Sequence, residues 1–232
     1  MKQYLLRFWP LYLLSCVIFL VLLHFGNDAI SAMVENMPIH QQNILVIDAG
    51  HGGEDGGATS CSGQLESQYN LEIAIILNDL CHLLGYETKM IRTEDISVYT
   101  QGTTLAAKKA SDLRQRVSVV NSTDNAILIS IHQNTFSEQR YSGAQVFYAA
   151  TDGSKDLAQY LQKSFSLIDH QNKRKEKKAS GVYLMQHVQK TAVLIECGFL
   201  SNPEEEAKLR SSAYQKMICC VIVSAISSYI NA

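Results

Sequence analysis

The sequence predicts an α/β fold: a mostly parallel twisted sheet with helices on both faces, preceded by one N-terminal hydrophobic segment. Three observations predict it. Short runs such as NILVID (43–48), AILISI (126–131) and TAVLIE (191–196) are apolar throughout instead of alternating, which suits strands buried on both faces. Between them lie longer segments with apolar residues at helical spacing, so strand and helix alternate along the chain. The 232 residues suffice for one sizeable domain plus an appendage, and they contain no internal repeat.

The appendage comes first. After Lys2 and Arg7, residues 8–25 are nearly unbroken apolar. As a helix they reach about 27 Å, close to the ~30 Å of a bilayer core. Both cations precede the run, which places the N-terminus in the cytoplasm and the rest outside. A signal peptide or membrane anchor is expected over 1–26, and AISA (29–32) offers a small-residue cleavage site. A polar tether over 27–42 then leads into one domain, 43–232.

That domain opens with the strand NILVID. A helix is expected from Glu66 to Leu84, with Leu71, Ile75, Leu80 and Leu83 on helical spacing and Gly85 ending it. YETKMIR (86–92) reads as a strand, and 103–122 as a loop entering an amphipathic helix. AILISI runs straight into His132. GAQVFYA (143–149) is a further strand and 154–168 a helix. KRKEKK (173–178) reads as a solvated loop, with contact to an anionic polymer as the alternative. TAVLIE is the last buried strand. Pro203 and its acids suit a helix start, and a helix over 212–230 closes the chain.

The formal net charge of −2 gives no bulk electrostatic case for a nucleic-acid partner. The cysteines do not form a disulfide or zinc pattern. Cys16 is in the apolar run, Cys197 adjoins a strand, Cys219 and Cys220 are adjacent, and no CxxC occurs. Buried free thiols are expected.

In an open parallel sheet, ligands collect at the carboxyl ends of the strands. The first strand ends in DAGHGG with His51, the AILISI strand in HQN with His132 and Asn134, and the TAVLIE strand at Glu196. Glu66 opens the helix behind the glycine loop. Two histidines and a carboxylate make an open zinc site, and a further carboxylate is the usual general base. Each residue alone has a structural explanation: a strand-end histidine usually packs, and an acid at a helix start favours the dipole. Glu196 is harder to dismiss, because a carboxylate ending an apolar strand needs a partner. The loop VIDAGHGGEDGGAT (46–59) matches neither GxGxxG nor GxxxxGK[ST], and Glu54 and Asp55 would repel phosphate. No GxSxG is present.

The segments IDAGHGGEDGGA, ISIHQN and AVLIECGFLSNPEE, in that order, closely resemble the zinc-dependent N-acetylmuramoyl-L-alanine amidases of bacterial cell walls, over about 43–230. The short exported domain with one hydrophobic segment most resembles the spore-cortex, germination-specific branch. There the enzyme strips peptide from muramic acid so that muramic δ-lactam can form. The resemblance implies Zn²⁺ held by His51, Glu66 and His132, Glu196 as catalytic glutamate, and peptidoglycan as substrate. It also implies membrane contact through the N-terminus, work in the space between forespore and mother cell, and control by an activator protein. Arg92 and Asn134 are candidate substrate contacts, although a structural ion-pair role suits Arg92 and Arg116 better. The family tends to have EK at the second ligand, where this chain has Glu66-Ser67, and a proline before the last strand, where it has Thr191. The competing functions are another zinc peptidase or deacetylase of the wall, or a catalytically silent wall-binding protein.

Overall fold

The computed structural model describes residues 43–232. The expected membrane segment, the tether and Cys16 lie outside the described residues. In chain order the elements are β1 (Ile44–Ala49), α1 (Glu66–Leu83), β2 (Glu87–Met90), α2 (Leu105–Asn121), β3 (Ala126–Asn134), β4 (Gln145–Tyr148), α3 (Ser154–Ile168), β5 (Lys177–Lys178), α4 (Tyr183–His187), β6 (Thr191–Phe199), α5 (Pro203–Leu209) and α6 (Ser212–Ile230).

The strands form one sheet in the order β2-β1-β3-β6-β4-β5. Neighbours run parallel except β6 and β4. The exception follows from the connection after β3. Residues 135–144 contain no helix and are too short for a crossover, so β4 starts at the edge where β3 ends and runs back.

Alternating side chains serve two cores. Leu45, Ile47, Ile129, Ile131, Val193 and Ile195 face α1, α3 and α6, whose Ile73, Leu77, Leu161 and Ile222 are fully buried. Val46, Leu128 and Leu194 face α2 and α4, meeting Val120, Leu184 and Met185. With both faces covered, these strands have no solvent side, which explains their unbroken apolar runs.

The structure departs from expectation in three places. β3 and β6 continue past their apolar runs, because their ladder goes on through His132–Glu196 and Asn134–Phe199. The five-residue α4 has too few turns to leave a periodic pattern. The lysine run, expected as a loop, closes in the two-residue edge strand β5. Cys81, Cys197 and Cys219 are buried free thiols as expected, whereas Cys61 and Cys220 are free and exposed.

Three parallel strands, β1, β3 and β6, therefore finish at one edge. Their period of two brings Asp48, Ser130, His132 and Glu196 to the α2/α4 side of that edge.

Candidate metal centre and active site

Glu66, in the first turn of α1, stands between two imidazoles. His51 Nε2 lies 3.2 Å from its Oε2, and His132 Nδ1 lies 2.9 Å from its Oε1. One donor atom from each of the three residues falls within 4.8 Å of the others, and no other such cluster occurs among the described residues. The His51 and His132 rings meet edge to face, 5.0 Å between centroids. Burial alone would raise the Glu66 carboxyl, but the two imidazoles hold it well below the usual carboxylate range. Its oxygens also accept from the backbone N–H of Ala58 at 3.0 Å and of Gln133 at 3.2 Å, and from Asn70 Nδ2 at 3.2 Å.

His51 occupies a left-handed backbone position, φ 61°, which is costly for a residue with a Cβ. Two buried arginines hold the chain there. Arg116 donates to the carbonyls of Ala49 at 3.0 Å and His51 at 2.7 Å, and it pairs with Asp48 and Asp112. Arg92 donates to the carbonyls of Ala49, Gly50, Ser67 and Glu94. With its side chain 0% exposed, Arg92 has no surface left for a substrate, so the structure corrects that candidacy: it braces the ligand loop. Arg116 is likewise an ion-pair former. The far side of the His51 ring is fixed by Asp55, whose Oδ2 lies 3.0 Å from Nδ1.

Two glycines of the loop leave room for the candidate metal ligands. A Cβ on Gly50 would lie 2.2 Å from His132 Nε2. One on Gly57, at φ +69°, would lie 2.6 Å from Glu66 Oε2 and 2.7 Å from the His51 ring.

Glu196 stands opposite His132 in the β3–β6 ladder. Its Oε2 is buried without a hydrogen-bond partner, an uncommon and costly state for a carboxylate oxygen. Burial pushes its carboxyl up to about 7, against the lowering pull of His132. It borders a cavity of about 200 Å³ with His51, His132, Lys109, Arg116 and Leu184. A larger depression, about 680 Å³, lies around Asn43, Asn125 and Thr191 at the opposite ends of the strands, and none of the candidate metal or catalytic residues lines it. Asn134 is partly exposed at the end of β3, and its carbonyl accepts from the Leu200 N–H at 2.8 Å.

The donor set fits a zinc ion: two imidazole nitrogens, a carboxylate, a second carboxylate with a free oxygen, and an outer acid holding one ligand ring. Sequence reasoning brings His51, Glu66, His132 and Glu196 to one place, and the structure agrees. It misses Asp55 and Asn70. Asp55, four residues after His51, counts in sequence only as an argument against phosphate. Asn70, one turn after Glu66, ties that carboxylate to the Gly50 carbonyl at 3.2 Å.

Residues 45–228 match the family described as N-acetylmuramoyl-L-alanine amidase. The chain is 36% identical over 226 residues to the germination-specific N-acetylmuramoyl-L-alanine amidase of Bacillus subtilis, covering 95% of this chain and 94% of the relative. Among solved structures it resembles the CwlD amidase of Clostridioides difficile in complex with the GerS lipoprotein, with TM-score 0.78, 33% identity, and coverage of 81% of this chain and 98% of that one. It also resembles an N-acetylmuramoyl-L-alanine amidase from Clostridium difficile 630, with TM-score 0.69, 31% identity, and coverage of 82% and 97%. The chain belongs to the N-acetylmuramoyl-L-alanine amidase family.

Proposed function

We propose that the chain hydrolyses the amide joining the lactyl carboxyl of N-acetylmuramic acid to the amine of L-alanine in peptidoglycan. The supporting observation is the orphaned, buried Oε2 of Glu196 beside the His51–Glu66–His132 cluster. Those three residues would hold zinc, which when bound supplies a Lewis acid for the scissile carbonyl and lowers the pKa of water. Glu196 takes the proton from the attacking water and passes it to the departing amine. Burial raises that carboxyl to about 7 in the zinc-free protein, and a bound cation would bring it down toward the base form that the first transfer needs. Buried Leu184 and Leu194 limit bulk water on the cavity's inner wall. Asn134, at the rim, is the candidate substrate contact.

The proposal extends to setting. Likeness to the germination-specific relative supports a role in spore cortex, where peptide removal precedes muramic δ-lactam formation. Residues 1–26 would anchor or export the chain and 27–42 tether it, so that the domain works outside the cytoplasmic membrane, between forespore and mother cell. The lipoprotein bound to the Clostridioides difficile relative supports an activator protein here too.

The test is digestion of purified peptidoglycan with and without chelator, with products read by mass. New L-alanine amino groups that vanish with chelator and with Glu196→Gln are expected. Free acetate or new internal peptide ends instead would assign the site to a deacetylase or peptidase.

A further inference from the structure

The run KRKEKK takes no part in the chemistry above, yet its placement is specific. Its backbone is fixed along the free edge of the sheet. Arg174 Nε donates to the Ser142 carbonyl at 3.0 Å, the Lys175 carbonyl accepts from Gln145 Nε2 at 2.6 Å, and Lys177 and Lys178 pair with Phe147 and Tyr148. The side chains of Lys173, Lys175, Lys177 and Lys178 are exposed, and none forms an ion pair among the described residues. Glu176, the acid within the run, accepts from Gln159. On a chain of net charge −2, this edge concentrates uncompensated positive charge.

The edge meets the far end of β6, the strand that carries Glu196, through an aromatic group. Arg174 lies over the Phe199 ring at 4.9 Å, and Phe199 ends β6 three residues beyond Glu196. Tyr141 stacks on Phe199 at 6.3 Å, Phe136 meets Tyr141 edge-on at 4.8 Å, and Phe136 is 50% exposed. Arg140 lies over Tyr141 at 5.5 Å, and its guanidinium is partly offset by Glu138. Phe199 itself is buried, so the ring surface on offer is that of Phe136 and the half-buried Tyr141; such rings suit sugar and peptide, and cations suit carboxylates.

We propose that the surface from Phe136 through Arg174 to Lys178 is a second contact for the peptidoglycan strand, binding the free carboxylates of its stem peptides while one amide occupies the site at Glu196. The identity of the ligand rests on the amidase reading; the charge and the aromatic group do not. Lysines on an edge strand also oppose edge-to-edge aggregation. That role accounts for Lys177 and Lys178 but not for Lys173, Lys175 or the arginine-capped aromatic rings. A polymeric substrate accounts for all of them, since a strand held at the catalytic edge passes this neighbouring surface.

Cosedimentation of the full chain in mild detergent with purified sacculi tests the proposal, using the Glu196→Gln protein so that substrate persists. Combined Lys173→Glu, Lys175→Glu, Lys177→Glu and Lys178→Glu is expected to weaken binding roughly tenfold or more at low salt. Sacculi whose carboxyls have been converted to amides should bind the unsubstituted lysine edge equally weakly, a result independent of how the quadruple variant folds. Undiminished binding in either arm overturns the proposal. So does vesicle binding, measured on phosphatidylglycerol without detergent, that the quadruple substitution weakens more than it weakens sacculus binding, which would assign the edge to membrane. Amine release from a soluble muramoyl peptide is followed separately with the wild type. Its failure, with charge-dependent sacculus binding intact, would remove the amidase reading and leave the surface.

Discussion

Asp55 Oδ2 lies 3.0 Å from Nδ1 of His51, and the same oxygen lies 3.1 Å from Lys109 Nζ. The acid thus holds the ring by the nitrogen that does not face Glu66, and the lysine steadies the acid. Asp55→Ala should leave the fold intact and lower zinc affinity about 10- to 100-fold, since outer partners of ligand histidines contribute on that scale. Chelator competition measures it. Activity should return at saturating zinc, and an affinity equal to wild type would remove Asp55 from this role.

Glu196 predicts a stability effect of unusual sign. Its folded carboxyl, at about 7, lies above the ordinary 4.5, so the folded protein prefers it protonated. The zinc-free protein is therefore expected to lose stability as pH rises from 4.5 through about 7, with the loss complete above that. At about 1.4 kcal/mol per pH unit, the step from 4.5 to about 7 corresponds to roughly 3–4 kcal/mol. Glu196→Gln should abolish turnover, keep zinc binding, and be more stable than zinc-free wild type at pH 8 but not at pH 4.5. Urea melts at both pH values decide it.

The candidate site is legible in sequence because its polar residues sit at strand ends. His51, His132 and Glu196 each follow an apolar run, and a run buried on both faces leaves few reasons for a polar residue at its end. Glu66 is legible as the acid opening a helix. The supporting residues are hidden for a physical reason. Arg116 acts across the fold, and Arg92 reaches four carbonyls contributed by three separate segments, contacts that no local period encodes. Asp55 and Asn70 each lie only four residues from the side chain they hold, but a polar residue in a glycine loop or one turn along a helix carries no mark of that use. The reversal of β4 is hidden for another reason, since GAQVFYA has the same composition whichever way it runs.

The loop glycines give a spatially specific prediction. Gly50→Ala would bring a Cβ to 2.2 Å from His132 Nε2, so the ring must leave its place. Gly57→Ala combines a clash at 2.6 Å from Glu66 Oε2 with φ +69°. Both should abolish zinc binding while most of the fold survives. Gly63→Ala provides the comparison: φ is +92°, but nothing lies within 4 Å. It should cost about 1 kcal/mol of stability through backbone strain and leave zinc affinity unchanged. Equal zinc loss in all three would mean that loop conformation, and not room for the ligands, is what the glycines provide.

Asp48 is the acid whose behaviour should oppose that of Glu196, although both lie on the same face of the sheet near one edge. Burial alone would raise its carboxyl, but Arg116 and the Ser130 hydroxyl, 2.7 Å away, hold it below its ordinary 3.8. A depressed carboxyl adds stability that is fully present above 3.8 and is lost as pH falls through the folded value. Asp48→Asn leaves the buried Arg116 with Asp112 as its remaining acid, so it should cost about 1.5–3 kcal/mol at pH 7, less than a wholly unpaired buried charge. Because Arg116 also donates to the His51 carbonyl, the same variant should weaken zinc binding. Ser130→Ala, which removes one hydrogen bond, should cost only about 1 kcal/mol. The gap between wild type and Asp48→Asn in urea midpoint should be constant above about pH 5 and narrow in acid, whereas the gap for Glu196→Gln opens toward alkaline pH. If the Asp48 gap instead narrows as pH rises, the Arg116 pair does not hold the ligand loop in the way its geometry indicates.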